Sequence, residues 1–224
     1  MYKDKKILAV IPARGGSRRL PGKNIKLLGD KPLIAWTIEC AQKSSYIDKL
    51  ILSSDDSDII NVARKCGCCV PFIRPAELAT SLATSEAMLE HAIISMNERY
   101  DYVVLLQPTS PFRQTVDIDD CIKLCIDKNA PSVESMTEIS ENPAWMFNVD
   151  DNNTFSHACN ITSNAKIYIL NGAIYVINCN EFLKSHLINY PDTLVYIMPR
   201  DRSVDIDTAE DFSYAEYLLQ RVEK

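Results

Sequence analysis

Hydrophobic and polar positions follow two different rhythms along this chain. Strand-like apolar runs stand at 6–11, 49–53, 69–73 and 102–106, too short for helices and suited to buried strands. Between them, apolar residues recur three and four apart, which predicts helices over about 32–44, 55–67, 85–98 and 115–128. Several helices carry start signals: Pro32 near a first turn, Ser54 and Asp55 ahead of Ile59 and Ile60, and Ser85 ahead of Met88 and Leu89. Such alternation builds a mostly parallel sheet with helices on both faces. Ligands of these sheets bind beyond the carboxyl ends of the strands.

The rhythm breaks in the second half. Residues 131–177 hold a β-rich opening, an Asn/Asp-rich turn from Asn148 to Asn153, and the run Lys166 to Ile177 with Asn171-Gly172 marking a bend or bulge. This predicts an antiparallel insertion projecting from the main body. A last strand near 194–198 precedes Asp205-Ile206-Asp207-Thr208, and the closing helix aligns Phe212, Ala215, Leu219 and Val222 on one stripe. With no repeat or long linker, the 224 residues read as one α/β domain, 1–224, that contains the 131–177 insertion.

Composition acts mainly by exclusion. Hydrophobic residues at 46% and charged residues at 24% are ordinary for a globular chain. A net charge of -6, with no basic stripe beyond the first loop, argues against a nucleic-acid partner. No apolar run reaches bilayer length, and the one after Met1–Lys6 is too short for a signal peptide. The expectation is a cytoplasmic protein with no membrane partner. Cys66, Cys68 and Cys69 cluster without a second Cys/His pair at zinc spacing, and Cys121 and Cys125 share one predicted helix face. Free, packed thiols follow. His91, His157 and His186 are scattered without a Ser or Cys motif, so a hydrolase triad has no support.

The chemistry concentrates after the first strand, in Pro12-Ala13-Arg14-Gly15-Gly16-Ser17-Arg18-Arg19-Leu20-Pro21-Gly22-Lys23-Asn24. Glycines let backbone N–H groups close around an anion, and Arg14, Arg18, Arg19 and Lys23 supply charge for several phosphate oxygens. The stretch matches neither G-x-G-x-x-G nor G-x-x-x-x-G-K-[ST], so it reads as a nucleoside-triphosphate loop of another kind, or more plainly as a solvated basic turn. Asp205 and Asp207 sit two apart, which in extended backbone turns both carboxylates to one face. Mg²⁺ fits such a pair, because substrate phosphates complete its shell. The segment also reads as the N-cap of the closing helix, and both roles can hold at once. Leu105 to Arg113 brings Gln107, Thr109, Ser110 and Arg113 to a strand's carboxyl end, or forms a Ser/Thr/Pro turn. Arg74-Pro75 ends a short strand, and the helix near Ser85 offers free N–H groups to an anion or ribose.

With these motifs placed, the chain resembles the acylneuraminate cytidylyltransferases, the CMP-sialic acid and CMP-legionaminic acid synthetases. The resemblance rests on Ile11 to Ser17, Pro21 to Asn24, Gly29 to Ala35, Arg74 to Ala79, Leu106 to Arg113, Asn171 to Val176 and Asp205 to Asp207. It implies a Rossmann-like three-layer nucleotidyltransferase fold with a small antiparallel dimerisation insertion, a homodimer, and Mg²⁺. The implied reaction joins CTP to a nonulosonic acid, N-acylneuraminate or N,N′-diacetyllegionaminate, and releases pyrophosphate. Carried over by position, Arg14, Ser17, Arg18 and Lys23 hold the triphosphate, while Asn24, Arg74, Ala83 and Ser85 recognise cytidine. Gln107, Asn171 and Tyr175 face the sugar acid, and Asp205 and Asp207 hold the metal. Arg14, Arg18, Lys23 and Asp207 carry the catalysis.

The chain departs from the family pattern in places. Arg18 stands where lysine is common, and Ser81 where an acid is usual. Trp145 and Ile161-Thr162-Ser163 replace a lysine and an Arg-Gln-Asp run expected to meet the sugar carboxylate or the partner subunit. The sugar is thus the least specified feature. The rival readings are a CMP-Kdo synthetase and a noncatalytic sugar-nucleotide-binding relative.

Overall fold

A computed structural model describes residues 1–158 and 166–222. The first rhythm becomes β1 (Ile7–Pro12), a short pair β2 (Leu27–Leu28) and β3 (Lys31–Pro32), α1 (Leu33–Gln42), β4 (Lys49–Ser53), α2 (Ser57–Lys65), α3 (Ser85–Ile94), β5 (Tyr102–Leu106) and α4 (Thr115–Asp127). The second half adds β6 (Ser132–Glu138), β7 (Phe147–Val149), β8 (Phe155–His157), β9 (Tyr168–Asn178), α5 (Cys179–Ser185), β10 (Leu194–Ile197) and α6 (Ala209–Val222). The main sheet runs β10-β6-β9-β5-β1-β4. Its strands are parallel except β9, which pairs antiparallel with both β5 and β6.

The apolar run of β1 is continuous because both of its faces are covered. Ile7, Ala9 and Ile11 join the core that contains Ile34 and Ile38 of α1, Ile59 of α2 and Ile118 of α4. Leu8 and Val10 point to the other core, with Leu89 of α3 and Phe182 of α5. This is the three-layer arrangement that strand–helix alternation demands. A third cluster docks α6 through Phe212 and Ala215 onto Leu28, Leu33 and Ile206, with Leu219 packed at its margin. The side chain of Val222 lies outside the described residues.

Two expectations are corrected and a third is narrowed to one of its alternatives. Residues 69–73 form no strand; only Cys69 bridges Ile51, and Pro71, which lacks an N–H, ends the pairing. The 131–177 segment does not project as a unit. Its β6 and β9 belong to the main sheet, β9 lying between β6 and β5 and burying Ala173, Ile174, Val176 and Ile177, while β6 buries Val133 among polar residues. Within the described part of this segment, β7 and β8 alone pair outside the main sheet, as a hairpin. The Asn171-Gly172 signal is a bulge: pairing with β6 shifts register between Glu134 and Met136, and Gly172 takes φ +70°. Helix caps fall close to expectation, with Asp56 capping α2 and Thr84 capping α3. The helix α5 was not predicted; seven residues capped by Asn178 are too short for a periodic signal. The seven described cysteines are free thiols, and Cys121 and Cys125 are fully buried.

Candidate active site

The carboxyl ends of β1 and β5 open side by side, and the 13–24 loop crosses above them. Local chemistry sets its course. The Gly15 N–H donates to Asp55 Oδ1 at 3.1 Å, and a Cβ on Gly15 would lie 2.4 Å from Asp56 Oδ2. Asp56 is occupied in capping α2, where it accepts from the N–H groups of Asp58 and Ile59. Glycine is the residue that lets the loop pass this cap. Gly22, at φ +68°, turns the chain into the short 3₁₀ segment Lys23–Ile25.

Two clefts result, sharing Pro12, Arg14 and Gln107 in their walls. The first, about 200 Å³, gathers Arg14, Ser17, Arg18, Arg19, Lys23 and Asn24 opposite Thr109 and Asp207. Lys23 is buried, and its Nζ donates to the Ile206 carbonyl at 2.7 Å and to Asp207 Oδ1 at 2.9 Å. Arg19 Nη2 donates to the other oxygen, Asp207 Oδ2, at 2.6 Å. Asn24 donates to the Arg14 carbonyl at 3.3 Å, while its Oδ1 is buried without a partner among the described residues. The second cleft, about 290 Å³, is lined by Arg74, Ala83, Thr84 and Ser85. Arg14 closes its rim by donating to the Thr80 carbonyl at 2.6 Å. Arg74 is buried and donates to Ser53 Oγ at 3.0 Å and the Ser53 carbonyl at 2.5 Å. Burial lowers its pKa to about 10, Arg14 adding to the shift and Asp55 opposing it.

Arg18 Nη2 donates to Ser81 Oγ at 2.9 Å. The two departures in the nucleotide loop and the 80–84 turn therefore meet in space. A neutral hydroxyl in place of an acid leaves the Arg18 charge unneutralised and directed at the cleft.

The comparisons decide the family. A model of the family described as cytidylyltransferase matches residues 8–221. The chain belongs to the cytidylyltransferase family. It is 36% identical over 96% of its length to CMP-N,N′-diacetyllegionaminic acid synthase of Legionella pneumophila, covering 97% of that protein. To the pseudaminic acid cytidylyltransferase of Campylobacter jejuni it is 35% identical, with 96% and 97% of the two chains covered. The solved structure of CMP:2-keto-3-deoxy-manno-octonic acid synthetase complexed with CTP superposes with a TM-score of 0.75 at 19% identity, covering 97% of this chain and all of the other. That likeness shows the fold. This cytidylyltransferase is thus a nucleotidyltransferase enzyme, of a kind that generally uses a divalent metal.

Asp205 and Asp207 are the carboxylates that could hold such a cation, and Asp207 lines the cationic cleft. Asp205 is reachable by solvent yet hemmed in by protein, and that burial raises its carboxyl pKa; Asp207 pushes the same way, while Thr109 and Lys23 oppose. Two crowded carboxylates are relieved by positive charge, and here Arg19 and Lys23 supply it to Asp207. No group of three or more His, Cys, Asp or Glu gathers as a metal cage among the described residues. A divalent ion would draw its remaining ligands from substrate oxygens.

Several positioning residues were not legible in the sequence. Arg113, expected to reach outward, is 3% exposed and turns inward, donating to the Ala173 carbonyl at 2.6 Å, to Thr37 Oγ1 at 2.7 Å and to the Gln107 carbonyl at 3.3 Å. It ties the Gln107 loop to β9 and α1. Asp117, the N3 residue of α4, accepts from Arg202 Nη2 at 2.7 Å and Nε at 3.1 Å, fixing the segment that leads to Asp205. Asn171 is buried with its amide engaged: Oδ1 accepts from Ser135 Oγ and the Ala173 N–H, and Nδ2 donates to Ser203 Oγ. Tyr175 is half-buried, its hydroxyl pKa raised by burial, then by Glu134 and Asp205. Trp145 stands 75% exposed beside the hairpin, and Ile161 to Ser163 lie outside the described residues.

Glu134 gives a pH test of this packing. It is fully buried; Oε1 accepts from Asn189 Nδ2 at 2.8 Å, and Oε2 has no partner among the described residues. Burial raises its pKa above the ordinary 4.5, with Asn189 opposing. A carboxyl whose folded pKa is raised stabilises fully below its unfolded pKa, and that stability is lost as pH rises through the folded value. Glu134→Gln is therefore expected to melt above wild type at mildly alkaline pH, the difference shrinking below pH 4.5. Thermal melts at both pH values check it, and a pH-independent difference overturns it.

Proposed function

We propose that this enzyme joins CTP to a nonulosonic acid of the N,N′-diacetyllegionaminate or N-acylneuraminate type, forming the CMP-sugar and releasing pyrophosphate. The observation that carries the reading is the cationic cleft of Arg14, Arg18, Arg19 and Lys23, continuous through Arg14 and Gln107 with a second, less charged cleft. A triphosphate suits the first and a nucleoside the second. The names of the relatives at 35–36% identity supply the sugar class.

In this reading Arg14, Ser17, Arg18 and Lys23 hold the triphosphate, and charge-assisted donors there oppose the negative charge that grows on departing pyrophosphate. Arg74, Ala83 and Ser85 hold cytidine in the second cleft, and Asn24, on the wall of the first, completes that set with its unpartnered Oδ1 accepting a ribose proton where the two clefts join. Gln107 and Tyr175 face the sugar acid, and Asn171 shapes that side through its buried contacts. The anomeric oxygen of the acid attacks the α-phosphorus in line with the leaving pyrophosphate. Positioning supplies most of the rate, with no covalent enzyme intermediate. Asp205 and Asp207 would hold a divalent cation, Mg²⁺ in this proposal, which neutralises phosphate charge when bound.

A homodimer is part of the proposal. Phe147, Val149 and Phe155 expose an apolar face on the β7–β8 hairpin, with exposed Trp145 just ahead of it, the kind of surface a second copy covers. Free thiols throughout the described residues suit the reducing cytoplasm. No described helix is long and apolar enough to cross a membrane.

The direct test is pyrophosphate release with CTP and Mg²⁺ against N-acetylneuraminate, N,N′-diacetyllegionaminate, pseudaminate and Kdo. Strong release with N-acetylneuraminate or N,N′-diacetyllegionaminate, and little with Kdo, is the expected result, and a response to pseudaminate alone overturns the sugar assignment. Silence with all three nonulosonic acids overturns the proposal, and a response to Kdo alone favours the CMP-Kdo reading.

A further inference from the structure

We infer that Arg19 is an internal counter-cation that holds Asp207 until a polyphosphate draws it away, so that Arg19 and the divalent cation exchange partners as nucleotide binds. The inference rests on the proposed reading of Asp207 as a cation ligand. Both oxygens of Asp207 are occupied by positive groups, Oδ1 by Lys23 at 2.9 Å and Oδ2 by Arg19 at 2.6 Å. A metal bound directly by this carboxylate competes with one of them.

The two competitors are held very differently. The Lys23 side chain is 10% exposed, and its Nζ is also anchored on the Ile206 carbonyl at 2.7 Å. The Arg19 side chain is 67% exposed, and its hydrogen bond among the described residues is the one to Asp207. An ion pair with so exposed a member is weakly held. Arg19 is the member that can leave.

Its destination is in the same cleft. Arg19 shares the wall with Arg14, Ser17 and Arg18, where the triphosphate is placed. Several phosphate oxygens outbid a single carboxylate for a guanidinium, which binds them in a planar fork. As Arg19 turns to phosphate, Asp207 Oδ2 is released to the cation. Nucleotide and metal then favour each other through the protein as well as through their own bond, and the coupling is reciprocal. Without nucleotide, Arg19 keeps the carboxylate neutralised and in place. It is a positioning residue in one state and a phosphate ligand in the other.

The exchange predicts two changes of opposite sign in Arg19→Ala. Nucleotide-free Mn²⁺ binding, read by electron paramagnetic resonance, is expected to tighten about two- to fivefold, because a weak competitor is gone. CTP binding in EDTA, read by calorimetry, is expected to weaken about three- to tenfold, because a phosphate contact is gone. Arg19→Lys keeps the charge without the planar fork and should fall between wild type and Arg19→Ala in both. An unchanged Mn²⁺ affinity, an unchanged CTP affinity, or a parallel weakening of both overturns the exchange. Asp207→Asn separates this from the underlying reading: its nucleotide-free Mn²⁺ signal should be lost. If Asp207→Asn binds Mn²⁺ like wild type, the metal reading fails and the exchange with it, whereas failure at Arg19 alone leaves the metal reading standing.

Discussion

Turnover of the Asp207→Ala variant is expected to fall by at least roughly 10²–10³-fold, the scale of losing a preorganised electrostatic contact in a transition state. The carboxylate sits on the wall of the cationic cleft, where it binds Arg19 and Lys23 and, in the proposed mechanism, the divalent cation. The fold should survive the change. Lys23 keeps the Ile206 carbonyl, and the start of α6 remains capped because Asp211 accepts from the N–H groups of residues 207 and 208. An unchanged melting temperature with lost pyrophosphate release is the expected pair of measurements. Retained turnover would refute the role of Asp207.

Lys23→Ala should act on two properties at once. Lys23 lines the cationic cleft, so in the proposed reading CTP affinity is expected to weaken by about 1.5–3 kcal/mol, the range for a hydrogen bond to a charged group. Its Nζ also satisfies the carbonyl of Ile206, a residue buried at 0% exposure beneath α6. Removing that donor is expected to cost a further ~1–3 kcal/mol of stability, the penalty for an unsatisfied buried acceptor. Calorimetric titration with CTP and denaturant unfolding read the two effects separately. A variant that binds CTP like wild type sinks the phosphate assignment, whatever its stability.

The departures from the family pattern show how far single positions can mislead. Arg18 and Ser81 look like two independent losses, one altering a phosphate-loop residue and the other removing an acid. In the fold they form one hydrogen bond at 2.9 Å. The cation is retained and freed of its counter-charge, which favours a polyanionic ligand. Arg113 misleads in the opposite direction. Beside Gln107 and Thr109 in a polar loop it reads as a reaching side chain, yet three of its contacts fasten the loop from beneath.

By itself the sequence determined the alternation of strands and helices, the glycine-bearing cationic loop after the first strand, and the Asp205–Asp207 pair ahead of the last helix. These are properties of neighbours: side-chain period and backbone freedom act within a few residues. The tertiary structure decided the rest. It placed β9 between β6 and β5 instead of in a projecting insertion, closed the amide of Asn171 into a buried network, and brought Arg19 to Asp207 across 188 residues. Such pairings depend on the order of strands in the sheet and on which loops meet at its carboxyl edge. Local pattern selects the elements, but burial of their combined faces selects the partners.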